Sequence, residues 1–238
     1  MSKSRSDRFQ MLHIHLLGPP QIFADGEPVP LPSPAKAFLL WAYLLLKWER
    51  PVPREQLAYL LWPDVPETEA RANLRRHLHL LRKQLPPPPQ GADWILTTRG
   101  TLQWDPAAPC WLDVALLDRF VAETASEQAW AAVVECYRGD LLEGFYDDWV
   151  LTERTRLQQR YIRIPEQRIA LQKARGDLRG AIHTTQRLLA CDPLREEPYR
   201  YLMELHYRLG DRAAALREFE RCQRLLRTEN ELLFGFGY

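Results

Sequence analysis

The chain has 238 residues, of which 46% are hydrophobic and 26% charged, and its formal net charge is +1. That length suits one large domain or two small ones, and the balanced total neither demands nor forbids a nucleic-acid partner. The longest apolar run, AFLLWAYLLL at 37–46, is too short to span a bilayer, and the four scattered cysteines have neither CxxC nor metal-ligand spacing. Reduced thiols and a polar first ten residues, with no apolar signal segment, lead us to expect a soluble cytoplasmic protein.

LHIHLLG, near the N-terminus, alternates apolar and polar residues as a half-buried strand does. QIF follows as a second strand, the Asp25-Gly26 dipeptide predicts a hairpin turn, and VPLPSP closes the small sheet. Pro34 opens a helix to about Lys47 that is apolar on nearly every side. A short helix from about Pro53 to Leu61 is stopped by Trp62-Pro63. The basic stretch EARANLRRHLHLLRKQL at 69–85 is the third helix, and WILTTRGTLQWDP reads as two β segments around Arg99-Gly100. Strands, three helices and a hairpin, in that order, describe a winged helix-turn-helix.

Beyond Trp111 helical patterns take over, in LDVALLDRFVAET, EQAWAAVVECYRG and a long stretch from about Trp149 to Arg175 that Pro165 is expected to kink or break. ARGDLRGAIHTTQRLL at 174–189 then matches RLGDRAAALREFERCQ at 208–223, with Gly176 and Gly210 separated by 34 residues. That period of paired helices is the tetratricopeptide spacing. The expected fold is therefore mainly α: a winged helix-turn-helix over 11–105, an all-α tetratricopeptide-like domain over 111–227, and a tail over 228–238. The connection WDPAAPC lies between the two domains.

The third helix carries the candidate site. Leu74, Leu78, Leu81 and Leu85 fall within about 60° of one another on a helical wheel and form a buried stripe. Ala72, Arg75, Arg76, His79 and Lys83 lie opposite, with Arg71 and Arg82 on the flanks, where long side chains reach phosphates. An ordinary exposed face mixes both signs. This one has no acidic residue between Arg71 and Lys83, and its positive groups recur four apart. As the third helix before a β wing, it is best explained as a surface for double-stranded DNA.

LRRHLHLLRKQL followed by ILTTRGTLQW resembles the OmpR/PhoB-type winged helix. YRGDLLEGFYDDWVLTERTRL and CDPLREEPYRYLMELHYRLGDRAAALREFERCQRLL are similar to the bacterial transcriptional activation domain. Together the two halves, over about residues 11–227, resemble the SARP/AfsR family of transcriptional activators. The resemblance implies sequence-specific DNA binding, by protomers side by side on direct repeats, and recruitment of RNA polymerase. Carried over by position, it places Arg75, Arg76 and His79 in the major groove, Arg82 and Lys83 at the backbone, and Arg99 at the minor groove. The loop WPDVPETEA at 62–70 occupies the polymerase-facing position. Leu80 stands where OmpR/PhoB-type helices often carry a contacting arginine.

Other chemistries find less support. Asp147, Asp148 and Glu153 are better read as helix-start charges and ion pairs than as an acid–base pair. The pairs His13/His15 and His77/His79 lack the further ligands of a metal site. There is no GxxxxGK[ST], GxSxG or HExxH motif, so neither an enzyme nor a cofactor is expected. The alternative is an interaction adaptor that uses the tetratricopeptide-like groove, with DNA binding secondary. With only ten residues before the first strand, no receiver domain is expected.

Overall fold

A computed structural model describes residues 11–88 and 93–234. The polar leader at 1–10, the middle of the proline-rich connection and the last four residues of the expected tail lie outside the described residues. The chain divides into two compact units that are discontinuous in sequence: residues up to Ala115 with Leu141–Glu153, and Leu116–Asp140 with Arg154 onward. This division breaks the chain after 115, 140 and 153, whereas the order of elements in the sequence leads to two continuous stretches, 11–105 and 111–227.

The first unit opens with a meander of β1 (Leu12–His15), β2 (Gln21–Ala24) and β3 (Glu27–Val29), paired antiparallel. Asp25 and Gly26 both take positive φ, 51° and 88°, the geometry of a two-residue hairpin turn that suits Asp-Gly. Next come α1 (Ala35–Leu46), the two-residue strand β4 (Val52–Pro53), α2 (Arg54–Leu61) and α3 (Glu67–Gln84). In α1 every residue from Ala37 to Leu46 is buried, which accounts for its all-round apolar sequence. The hairpin of β5 (Ile95–Thr97) and β6 (Thr101–Trp104) follows, and β4 pairs with β6 to make a three-stranded wing. Trp104 stacks on Trp94 at 5.4 Å and meets Trp41 of α1 edge-on at 6.3 Å, so the wing is rooted in the core.

The last residue of the expected connection and the first two of the expected helical domain form β7 (Cys110–Leu112), which pairs in parallel with β1. Asp113, at the start of α4 (Asp113–Arg119), is fully buried, and its carboxylate accepts the backbone N–H groups of Leu16, Leu17 and Val114 at 2.8–3.0 Å. The segment 141–153 completes the unit. Leu141 bridges Leu17, Phe145 packs on Phe38 at 4.9 Å, Trp149 meets Tyr43 edge-on at 5.2 Å, and Asp147 pairs with Lys36 at 2.9 Å. Glu153 pairs with Lys47. The acidic residues at 147–153 are thus occupied in part by ion pairs.

The second unit is helical: a single 3-10 turn (Ala122–Thr124), α5 (Glu127–Cys136), most of α6 (Asp148–Ala174), α7 (Leu178–Cys191), α8 (Glu196–Arg208) and α9 (Arg212–Phe234). The expected break at Pro165 does not interrupt α6, which runs continuously through it. The expected tail is helical as far as Phe234. The 34-residue repeat is exact at its turns. Gly176 and Gly210 have φ of 76° and 80°. Asp177 and Asp211 then cap the following helices through Gly180 N and Ala214 N, each at 2.9 Å. Left-handed glycine followed by an aspartate N-cap is what a tight helix–helix turn requires. Leu189, Tyr199, Leu202 and Cys222 form a buried cluster to which α7, α8 and α9 all contribute.

Candidate nucleic-acid interface

Helix α3 buries Ala70, Leu74, His77, Leu78 and Leu81 and so fixes which side faces outward. Its C-terminal end is clamped by Gln84, which accepts from Ser33 N at 2.6 Å and donates to Ser33 O at 2.7 Å. Near its middle, His77 faces Asn73 O at 2.8 Å and packs beside Trp62 at 4.9 Å, an interior role that distinguishes it from its exposed neighbour His79. His13 and His15 lie against Trp111, at 5.9 and 5.0 Å.

All seven sequence-predicted site residues, Arg71, Arg75, Arg76, His79, Arg82, Lys83 and Arg99, are exposed, but their surroundings differ. Arg71 is not free: one guanidinium nitrogen lies 2.6 Å from Glu55 and 2.5 Å from Glu67. The acid-free stretch read along α3 is therefore answered by carboxylates from the neighbouring helix and from its own first turn. Arg82 is tied to the wing, with Nη2 2.7 Å from Thr97 Oγ1, 2.8 Å from Ile95 O and 3.2 Å from Asp93. Arg76 donates to Asn73 of its own helix at 3.2 Å.

Arg99 and Gly100 form the wing tip. Thr98 shapes the turn, its hydroxyl accepting from Gly100 N and Thr101 N at 3.3 and 3.0 Å. Gly100 O accepts from Arg54 N at 2.9 Å, which fastens the tip to the first residue of α2. This junction brings Arg54, Arg71, Arg75 and Arg99 around one cleft of about 450 Å³, with Glu55 the acidic residue lining it. Arg54 was not among the residues predicted from sequence. Its proximity arises from the β4–β6 pairing, and no local pattern announces it. Partial burial holds its pKa below the ordinary arginine value, with Arg82 and then Arg75 adding repulsion. Its Nε is buried without a hydrogen-bond partner among the described residues. Positive groups crowded together with a donor to spare are stabilised by an anion, and a row of them suits a polyanion.

Two family patterns match the chain. "Transcriptional regulatory protein, C terminal" covers residues 26–101, and "Bacterial transcriptional activator domain" covers residues 115–232. The regulatory protein AfsR of Streptomyces coelicolor is 30% identical over 230 residues, which take up 92% of this chain and 22% of AfsR. The transcriptional regulatory protein EmbR of Mycobacterium tuberculosis is 39% identical over 74 residues, 31% of this chain and 19% of EmbR. A solved structure of Mycobacterium tuberculosis EmbR in complex with a low-affinity phosphopeptide aligns with a TM-score of 0.67 at 25% identity, over 92% of this chain and 60% of that one. The chain spans about a fifth of the length of the curated relatives it matches. These likenesses favour a regulator over an adaptor, and the family is one of regulators and not of enzymes. A winged-helix unit with a basic third helix, a helical unit with a 34-residue repeat and the two family matches lead to one conclusion: the chain belongs to the SARP/AfsR family of bacterial transcriptional regulators.

Proposed function

We propose that this chain binds double-stranded promoter DNA sequence-specifically and activates transcription by recruiting RNA polymerase. The observation that carries this reading is the four-arginine cleft shared by α3, the start of α2 and the wing tip. Arg75, Arg76 and His79, on the outward face of α3, enter the major groove, where a planar guanidinium reads guanine O6 and N7. Lys83 and Arg54 hold phosphates. Arg71 and Arg82 stay tied to their carboxylates and to the wing, or exchange a carboxylate for a phosphate oxygen. Arg99 meets the adjacent minor groove.

Protomers sit side by side on direct repeats in the cytoplasm, and the turn at 62–70 faces the polymerase. The test is binding of cognate and scrambled duplexes at two salt concentrations. Six to ten phosphate contacts predict a loss of about 10³–10⁵ in affinity between about 50 and 200 mM salt. Affinity indifferent to salt overturns the reading.

A further inference from the structure

A second cleft, of about 530 Å³, lies within the first compact unit between the end of α2, the turn after it and the segment 146–149. Two tyrosines on its rim are unusually open to solvent, Tyr59 at 75% and Tyr146 at 73%. Nearby, Trp62 and Trp149 supply further aromatic surface. Exposed aromatic rings beside a concavity are characteristic of residues that dominate protein–protein interfaces.

The charge is equally one-sided. Asp64, Asp147 and Asp148 line the cleft with Lys36, and Lys36 pairs with Asp147 at 2.9 Å. Two carboxylates thus remain without a compensating cation in the lining. Helix α6 begins here, and its dipole contributes about half a positive charge, which leaves the cleft negative. Carboxylates between aromatic faces attract an ammonium or guanidinium twice, by charge and by the ring quadrupole.

We infer that this cleft docks a lysine- or arginine-bearing segment of a partner protein. The inference deepens the activation reading of residues 62–70 and rests on it only for the partner being a protein. The sign of the partner is fixed by the cleft itself, and that sign is opposite to the DNA demanded by the arginine cleft.

Hexaarginine amide serves as the probe, with hexaglutamate as control, titrated calorimetrically into the full chain at about 50 mM salt. Asp64→Asn with Asp148→Asn is expected to weaken hexaarginine binding at least tenfold. Tyr59→Ala with Tyr146→Ala is expected to weaken it at least threefold, while Glu220→Gln in the other unit leaves it within twofold. Circular dichroism melts of each variant separate lost binding from lost folding. The inference is overturned if the folded variants bind hexaarginine like the wild type, or if they weaken hexaglutamate, which the arginine cleft takes, as much as they weaken hexaarginine. It is equally overturned if sedimentation shows the chain self-associating through this face, with the tyrosine variant abolishing that association. Binding of hexaarginine in this pattern by a chain that ignores DNA supports the cleft and overturns the DNA reading, so the two fail separately.

Discussion

Substituting Glu55 is expected to strengthen DNA binding, the reverse of what most changes at an interface do. Glu55 lines the arginine cleft, 76% exposed, and holds Arg71 at 2.6 Å. A carboxylate there repels any phosphate that the arginines attract. At about 6–8 Å, two unit charges interact by roughly 0.5–2.8 kcal/mol for effective dielectric constants between that of water and that of a protein surface. Glu55→Gln should therefore raise affinity about two- to hundredfold at low salt, with the gain shrinking as the screening length falls to about 8 Å. The change should cost the fold little: about 0–1 kcal/mol for an exposed ion pair and about 0.3–1 kcal/mol for a first-turn acid on α2. Fluorescence anisotropy of a labelled duplex at several salt concentrations, beside a thermal melt, measures both terms. Unchanged or weaker binding by a variant that melts normally would show that the arginine cleft does not face phosphate.

Arg76→Ala should cost roughly 1–3 kcal/mol on the cognate site and much less on random DNA, whereas Lys83→Ala should weaken both alike and lower the salt slope by about one unit. Competition isotherms on the two duplexes distinguish them. Arg82→Ala should release the wing from α3, raising hydrogen exchange across Ile95–Trp104 and weakening every sequence, and Arg82→Lys should restore both in part, because the three acceptors converge on the single nitrogen Nη2, which an ammonium with three donors can replace. Asp113→Ala leaves the buried N–H groups of Leu16 and Leu17 without their acceptor, at about 1–3 kcal/mol each, and urea unfolding should show the loss. Burial, chiefly, raises the pKa of Tyr161, whose hydroxyl donates to Val134 O at 2.9 Å. The folded state therefore holds that proton more tightly than the unfolded state, so its stabilising effect is complete below about pH 10 and declines as pH rises beyond it. Tyr161→Phe should flatten that alkaline decline in a pH series of melts.

The parts of this protein that could be read from its sequence are those whose signal is local and periodic. Four leucines at helical spacing orient α3, Asp25-Gly26 dictates a hairpin, and glycines 34 residues apart mark two equivalent turns. Strands β4 and β7 escaped because two or three residues carry no period, and their pairing with β6 and β1 is a tertiary event. The candidate site was legible as far as the outward face of α3. Arg54 was not, because the pairing of distant strands brings it to the cleft. Nor were the partners of Arg71 and Arg82, whose carboxylates come in part from other elements. Pro165 shows the opposite case: a strong local signal for a break, overridden within a long helix packed by its neighbours.

The discontinuous division of the chain bears on the order in which the protein is made. The first unit lacks its last segment until Glu153 has been synthesised, after residues 116–140 of the second unit. At about 5–20 residues per second, the 38 residues between Ala115 and Glu153 take roughly 2–8 s. During that interval Phe38, Tyr43 and Lys47 await Phe145, Trp149 and Glu153, so a nascent chain stalled near residue 115 presents a winged helix with one flank still open. A gene fusion that joins this reading head to another effector with a single crossover would reproduce the stalled chain permanently. Two crossovers, carrying 141–153 along, are the smallest exchange that transplants it whole.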